Sequence, residues 1–466
     1  MKKNNNRLYV ILAVIALLGL SWYTLLDTAV SEQQEYDGYL ADARSAADIG
    51  VRGDALAAYE KAINMHDSVE LREEVAEFYH KHYSSDEWAD YCKKIVDEFP
   101  KEGKAYEILM NYYYTIGDYA MCYENYKEAD RKHIATDKMT QLYDKLYYAV
   151  DEMTTRYRDV KVFAGGKCAV TDTDPGETVK WGFVDNTGGM IIGTAYLDTT
   201  GFTNSGYAAV QQYRDPDDPE AGIEYVLIDE TGEVKFADPK KGERDITDMG
   251  FYSSGKIAAR INGKYCYMNE KFEALYGNFD YAATYSGDIS VAKNGDKWII
   301  INENGDQIGS ETFEDIKLDK TLVAFRNDVA FAQINGKYYL IDKMGKVVCD
   351  TAFEDADAFA SEGYAAVQYE GAWGFVDTKG NFVIKPQYLK ARSFTDDLAA
   401  VSDGTEWVFI NTNNDIVIRG GSEETNEEKR ELLMYEDVIQ FSDDGSAFVK
   451  SDGAWHQIRL FRQALS

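Results

Sequence analysis

Three textures of apolar and polar residues follow one another along the chain. From Leu8 to Leu26 nineteen residues run without a charge, enough at 1.5 Å of helical rise each to cross the hydrocarbon core of a bilayer. Lys2, Lys3 and Arg7 precede this run and Asp27, Glu32 and Glu35 follow it. The positive-inside bias then predicts a cytoplasmic N-terminus over 1–7, a transmembrane signal anchor over 8–26, and the bulk of the chain outside a bacterial cytoplasmic membrane, single-pass. The run exceeds the apolar core of a cleaved signal peptide, so the anchor is expected to stay. Over 31–156 apolar residues recur every three or four positions, the spacing of one helix face. Past Tyr157 short alternating segments are separated by Gly, Asn and Asp, which predicts strands and turns over 157–466. The fold class expected is therefore multidomain, α then β, behind a membrane helix.

Within the helical part the apolar columns repeat. Ala55, Tyr59 and Ala62 align with Trp88, Cys92 and Ile95, then with Cys122, Tyr126 and Ala129, at offsets of 33 and 34 residues. Upstream in each unit a second column runs Tyr39, Ala43, Ala46, then Arg72, Ala76, Tyr79, then Tyr106, Met110, Tyr113. Breaks at Ile49-Gly50, Ser84-Ser85 and Ile116-Gly117 separate the paired helices. This pattern resembles the tetratricopeptide repeat family, in three helix-turn-helix units over 36 to about 136, with Arg72 where an aromatic is usual. An amphipathic stretch over 137–157, with Leu142, Leu146 and Val150, is expected to cap the α-solenoid. The resemblance implies a concave groove lined by the first helix of each pair, with Glu73, Glu77, His80, Glu107, Asn111 and Tyr114 on it, that binds a protein partner. Three carboxylates there favour a partner with a basic segment, against the plainer reading of a solvated charged face.

The clearest β unit runs from Gly371 through Trp373-Gly374-Phe375-Val376-Asp377 to Tyr388, and Trp181-Gly182-Phe183-Val184-Asp185 repeats its core. Further aromatic anchors stand at Tyr225, Tyr265, Trp298, Tyr338, Trp407 and Trp455. Four residues after the first seven anchors comes Asp or Asn: Asp185, Asp229, Asn269, Asn302, Asp342, Asp377, Asn411. Glycine follows three further on in five of these seven. That is the sequence of a turn with an Asx side chain at its first corner, so these carboxylates are expected to build hairpins and not to catalyse. Trp373 and Phe375 share one strand face, Gly374 and Val376 the other, and the glycine suggests a neighbour lying close over the strand. The array resembles the WG-repeat family, named for its Trp-Gly pair, which implies binding or scaffolding and brings no catalytic residues. Eight anchors and eight Ala-Ala-Val-type strands can be counted, but only seven second hairpin strands. A propeller-like ring of about seven units is expected, the last partial unit closing it, with a β solenoid or ribbon as the alternative.

Composition narrows the function classes. With 81 acidic residues against 49 basic ones the net charge is −32, which repels phosphate backbones and argues against nucleic acid as a partner. Five scattered cysteines are read as free thiols, with a Cys92–Cys122 bridge as the alternative. His80 and His82, two apart on a helix, face different ways, and only His456 lies in the β part, so no His-based triad, metal site or cofactor is expected. The acidic loops Asp172–Glu177 and Asp215–Glu220 lack the spacing of a calcium loop. The expected function is a membrane-anchored extracytoplasmic binding scaffold, which holds a protein partner on the helices and a second ligand, such as a cell-wall component, on the β array. The alternatives are a cell-wall glycan hydrolase using an acidic pair on the array and a purely structural spacer.

Overall fold

The computed structural model describes residues 30–240, 242–421 and 433–462. The chain divides into two compact units, Met1–Leu146 and Tyr147–Ser466. The anchor expected over 8–26 lies outside the described residues, and among those residues no helix is long and apolar enough to cross a membrane. The helices present are sided: Val69–His82, reading VELREEVAEFYHKH, buries Leu71, Val75 and Phe78 and charges the opposite face. The membrane helix in the expected fold and the single-pass membrane location are accordingly withdrawn. What stands is helices followed by a β-propeller.

The first unit holds α1 (30–48), α2 (Arg52–Met65), α3 (Val69–His82), α4 (Ser85–Glu98), α5 (Gly103–Thr115), α6 (Tyr119–Arg131) and α7 (Asp137–Tyr147). Their starts follow from local chemistry. Ser68 accepts a hydrogen bond from Leu71 N, Ser84 and Glu87 form a reciprocal capping box, and Asp118 accepts from Met121 N. Residues of both sequence columns, among them Tyr59, Ala76, Cys92, Met110 and Cys122, meet in one buried cluster. Arg72, out of place as an aromatic substitute, is buried with its charge met by Asp67 (2.8 Å) and Glu98 (2.7 Å), so its stem fills the column while its head stays paired. All five cysteines are free thiols, and Cys122 Sγ donates to Met110 O at 3.2 Å. The capping helix ends at Tyr147, short of the expected 157, because Val150 pairs with Leu460 in a strand of the second unit.

The second unit is a ring of eight blades. Blade 6 shows the plan: strand a Asp355–Ala356, b Tyr364–Tyr369, c Ala372–Asp377 and d Phe382–Tyr388, antiparallel throughout. Blades 1 to 8 begin their a strands at Asp159, Asp198, Ile246, Tyr281, Asp315, Asp355, Lys390 and Asp437. In blades 4 and 5 the d position is held by isolated bridges such as Trp298↔Phe313 and Tyr338↔Phe353. In blade 8 it is filled by Val150–Glu152, from the start of the unit, paired with Ala454–Leu460. This corrects the expected count of about seven: the eighth anchor does have a fourth strand, but one taken from the other end of the unit.

The core lies between the sheets. Each pair of neighbouring blades shares one buried cluster, and blades 8 and 1 share theirs through Phe448, Trp455, Tyr157, Val160 and Phe163, which rules out the open solenoid or ribbon. The Ala-Ala-Val strands are small and apolar on both faces for this reason: Ala365 and Val367 pack toward blade 5, Ala366 toward blade 7. One contact recurs almost unchanged. The residue two after the anchor of strand c meets an aromatic at the end of the next blade's inner segment, edge to face, in Phe183–Phe202, Tyr267–Tyr285, Phe375–Phe394 and Phe409–Phe441, at 4.8 to 4.9 Å.

Candidate functional site

Helices α3, α5 and α7 enclose a groove of about 440 Å³ in the helical unit. Five of the six residues expected there line it, Glu73, Glu77, His80, Glu107 and Asn111. Tyr114 does not, since its ring packs instead toward Tyr119 (5.8 Å between centroids). Sequence spacing missed the contribution of α4 and α7. Trp88 forms part of the lining, with His80 stacked on it at 4.0 Å and 15°, and Tyr112 edge-on behind it at 4.8 Å. Met139, Leu142, Lys138 and Lys145 come from α7, the element treated in sequence as a mere cap.

The groove is also less acidic than its three carboxylates suggest. Lys104 Nζ lies 2.7 Å from Glu73 and 2.8 Å from Glu107. Thr136 Oγ1 donates to Glu107 at 2.7 Å, and Lys138 stands 3.5 Å from it. Burial works to raise the Glu107 carboxyl, but Lys104 and Thr136 outweigh it and hold the group below its ordinary range. Lys104 is raised against its own burial by the same pairing. One end of the groove is thus a closed ionic network. Glu77 and Lys145, both exposed, carry no ion pair among the described residues.

In the propeller the anchors and Asx residues have structural occupations. Each of the seven Asx side chains accepts from backbone N–H groups two and four residues on. Asp377 takes Lys379 N and Asn381 N, both at 2.9 Å, and Asn302 takes Asn304 N and Asp306 N at the same distance. Burial opposes ionisation of Asp185 and Asp377, yet these donors keep both carboxyls below their ordinary range. Gly188, Gly232, Gly305, Gly345 and Gly380 take left-handed φ of 79° to 85° three residues after the Asx, and Phe272 (62°) and Asn414 (70°) take the same conformation without glycine. In the Trp-Gly pair the glycine makes room for backbone: a Cβ on Gly182 would sit 2.6 Å from Ile192 O, and one on Gly374 2.6 Å from Pro386 N. A family model described as "WG containing repeat" matches residues 181–213, 340–371 and 373–407.

The chain carries WG repeats. Each matched WG repeat starts in strand c of one blade and ends with strand b of the next or just beyond it, so the sequence unit straddles two blades and ties them together. No curated protein matches the chain. Among solved structures it is similar to a eukaryotic initiation factor (12% identity, 66% of this chain and 87% of that one, TM-score 0.40). It is also similar to the Pan2 WD40 domain of Neurospora crassa (9%, 67% and 98%, 0.32) and to Hsv2 of Kluyveromyces lactis (13%, 55% and 89%, 0.33).

Sequence reading also missed a constellation built on the WG anchors. Lys161 lies over Trp181 (4.7 Å), Lys317 over Tyr338 (4.4 Å) and Arg392 over Trp407 (5.1 Å). Each cation then reaches the first residue of the next blade's inner strand: Asp198, Asp355 (2.7 Å) and Asp437 (3.2 Å). A basic residue two after the start of strand a, with Asp opening the following blade, is the signal that could have found it. Among the described residues no group of three His, Cys, Asp or Glu side chains is arranged to hold a metal.

Proposed function

We propose that the chain is a binding scaffold of two modules, in which the groove of α3, α5 and α7 receives a segment of a partner protein and the WG-repeat propeller presents a second ligand surface. A protein-binding or scaffold role suits a propeller made of WG repeats. The observation that supports the helical site most is the groove itself, a 440 Å³ concavity with Trp88 and Met110 in its lining and a charged rim. The partner segment on this reading presents an apolar side chain to that surface and a basic one to Glu77. The alternative of glycan hydrolysis by an acidic pair gains no support from Asp185 and Asp377, which are engaged by turn N–H groups.

The test is photo-crosslinking in living cells from an amino acid placed at Asn111, followed by identification of what is captured. Glu77→Lys should cut capture about tenfold or more with circular dichroism unchanged, since an exposed helix substitution costs little stability. Reversing Glu73 or Glu107 is a poorer probe, because it also breaks the network around Lys104. Capture unaltered by Glu77→Lys would move the binding surface to the propeller, and a spacer would capture no protein at all.

A further inference from the structure

The outer wall of the propeller differs from blade to blade. Each blade contributes its c–d turn and d segment, 342–353 in blade 5 and 377–388 in blade 6. Across these two neighbours Met344, Val347, Val348, Phe382 and Val383 stand 36% to 54% exposed. The two segments touch: a Cβ on Gly380 would run into Cys349 Sγ, and the Phe382 ring lies 6.2 Å from that of Phe353. Elsewhere the matching segments expose fewer large apolar residues among those described, Met190 and Ile191 in blade 1, Val234 in blade 2, Leu275 in blade 3 and Ile416 in blade 7. Five on one adjoining pair of blades make a patch of the kind that marks an interaction surface.

The charge changes over the same stretch. In blades 3 and 4 these segments, 269–280 and 302–313, carry Glu270, Glu273, Asp280, Glu303, Asp306 and Glu311 against Lys271. In blades 5 and 6 they carry Lys343, Lys346, Lys379 and Lys385 against Asp342, Asp350 and Asp377. Two of those carboxylates are turned onto backbone: Asp342 accepts from Met344 N (2.8 Å) and Lys346 N (2.9 Å), and Asp377 from Lys379 N and Asn381 N. Asp350 alone of the three is exposed. Lys343 pairs with Asp328 at 2.5 Å. The exposed ammonium groups of Lys346, Lys379 and Lys385 make no hydrogen bond or ion pair among the described residues. An edge lysine guards a strand against pairing, and Lys385 beside Pro386 does so in blade 6. That role calls for no apolar neighbours in solvent. On a chain of net charge −32, five exposed apolar side chains thus share one wall with three free cations.

We propose that this wall of blades 5 and 6 binds an acidic amphipathic segment of a partner protein, its apolar side chains against Val348, Phe382 and Val383 and its carboxylates against Lys346, Lys379 and Lys385. This rests on the reading of the propeller as a second ligand surface and says where on it the ligand lies. A short segment meets only the local cations, whereas an anionic bilayer or a second copy also meets the −32 of the whole chain. The probe is a fluorescein-labelled peptide with Glu and Leu at helical spacing, followed by anisotropy on the full chain. It should bind saturably. Lys346→Glu, Lys379→Glu and Lys385→Glu together, or Val348→Ser with Val383→Ser, should each weaken it about tenfold with circular dichroism unchanged. Lys271→Glu with Leu275→Ser, on blade 3, should leave it unaltered. A peptide that does not bind, or that binds the triple variant as it binds the parent, overturns the proposal. So does attachment to phosphatidylglycerol vesicles, or self-association in sedimentation, that the triple variant abolishes: a lipid surface or a second copy would then be the occupant. In living cells, photo-crosslinking from Val383 should capture a protein that the triple variant loses, and Leu275 should capture none. Capture from Leu275 alone would keep the propeller a ligand surface and overturn this siting; capture from neither position would overturn both.

Discussion

Blades 6 and 8 put different residues at the same point of strand c, Gly374 after Trp373 and His456 after Trp455. In blade 6 the d strand follows directly by a tight Asx turn and bulges: Phe375 faces Ile384 while Trp373 faces Tyr388, so extra backbone is folded over Gly374. In blade 8 the d strand comes from the other end of the unit. It leaves register at Glu152 and rejoins at Tyr157, opposite Trp455, and a histidine side chain only 1% exposed occupies the space. The glycine of the Trp-Gly pair thus answers to the strand beside it, not to its own turn. Where the neighbour is supplied from elsewhere, the position is free for an ionisable group.

The sharpest way to break this comparison is to give blade 6 a side chain. Gly374→Val drives a Cβ into Pro386 N, Ile384 O and Lys385 C at 2.6 to 2.9 Å, and should cost about 3 kcal/mol or more, read as a fall in the denaturant midpoint. A substitution that left the midpoint in place would dissociate the glycine from the bulge.

The second prediction lies in blade 8. His456 Nε2 is 3.6 Å from Glu152 Oε2, and Tyr435 donates to Glu152 Oε1 at 3.2 Å. The nearby His456 comes first among the causes holding the Glu152 carboxyl below its usual 4.5, against its burial. A carboxyl depressed in the folded state stabilises it at pH above the unfolded value and loses that contribution as pH falls through the folded one. Glu152→Gln should therefore lower stability near neutrality and flatten the acid limb below about 4.5, measured as midpoint against pH. An unchanged acid limb would mean that the seam does not titrate.

The smallest effect is expected at the Asx turn that blade 6 has and blade 8 lacks. Asp377→Ala removes the oxygen that accepts from two backbone N–H groups and should cost about 1 kcal/mol, whereas Asp377→Asn should be nearly silent in thermal unfolding, because Asn269, Asn302 and Asn411 fill the same role.

The legible features were the local ones. The Asx turns, the sided Trp-Gly-Phe-Val strand and the crowding over Gly374 all follow from residues within a few positions of one another. Features set by distant residues were hidden. Val150 sits at helical spacing from Leu142 and Leu146, and only its pairing with Leu460 makes it a strand. Apart from Tyr114, the groove positions on α3 and α5 could be placed by period, but their charge could not, because the ammonium that neutralises Glu73 lies on the next helix pair, at Lys104. Left-handed Phe272 and Asn414 hid two turns from a search for glycine. The count of blades failed for the same reason as Val150: the missing strand was present, but at the wrong end of the unit.

Closure by Val150–Glu152 also gives the ring a mechanical weak point. The segment before Val150 and the segment after Leu460 leave the seam at the same end, where Phe461 N donates to Ala149 O at 3.0 Å. Tension between these two segments loads that outermost bond first and then its neighbours in turn, so the bonds part singly and not in shear. A pull along the chain would peel away the fourth strand of blade 8 and expose the edge of Ala454–Leu460, while the covalent order of the other seven blades stays intact.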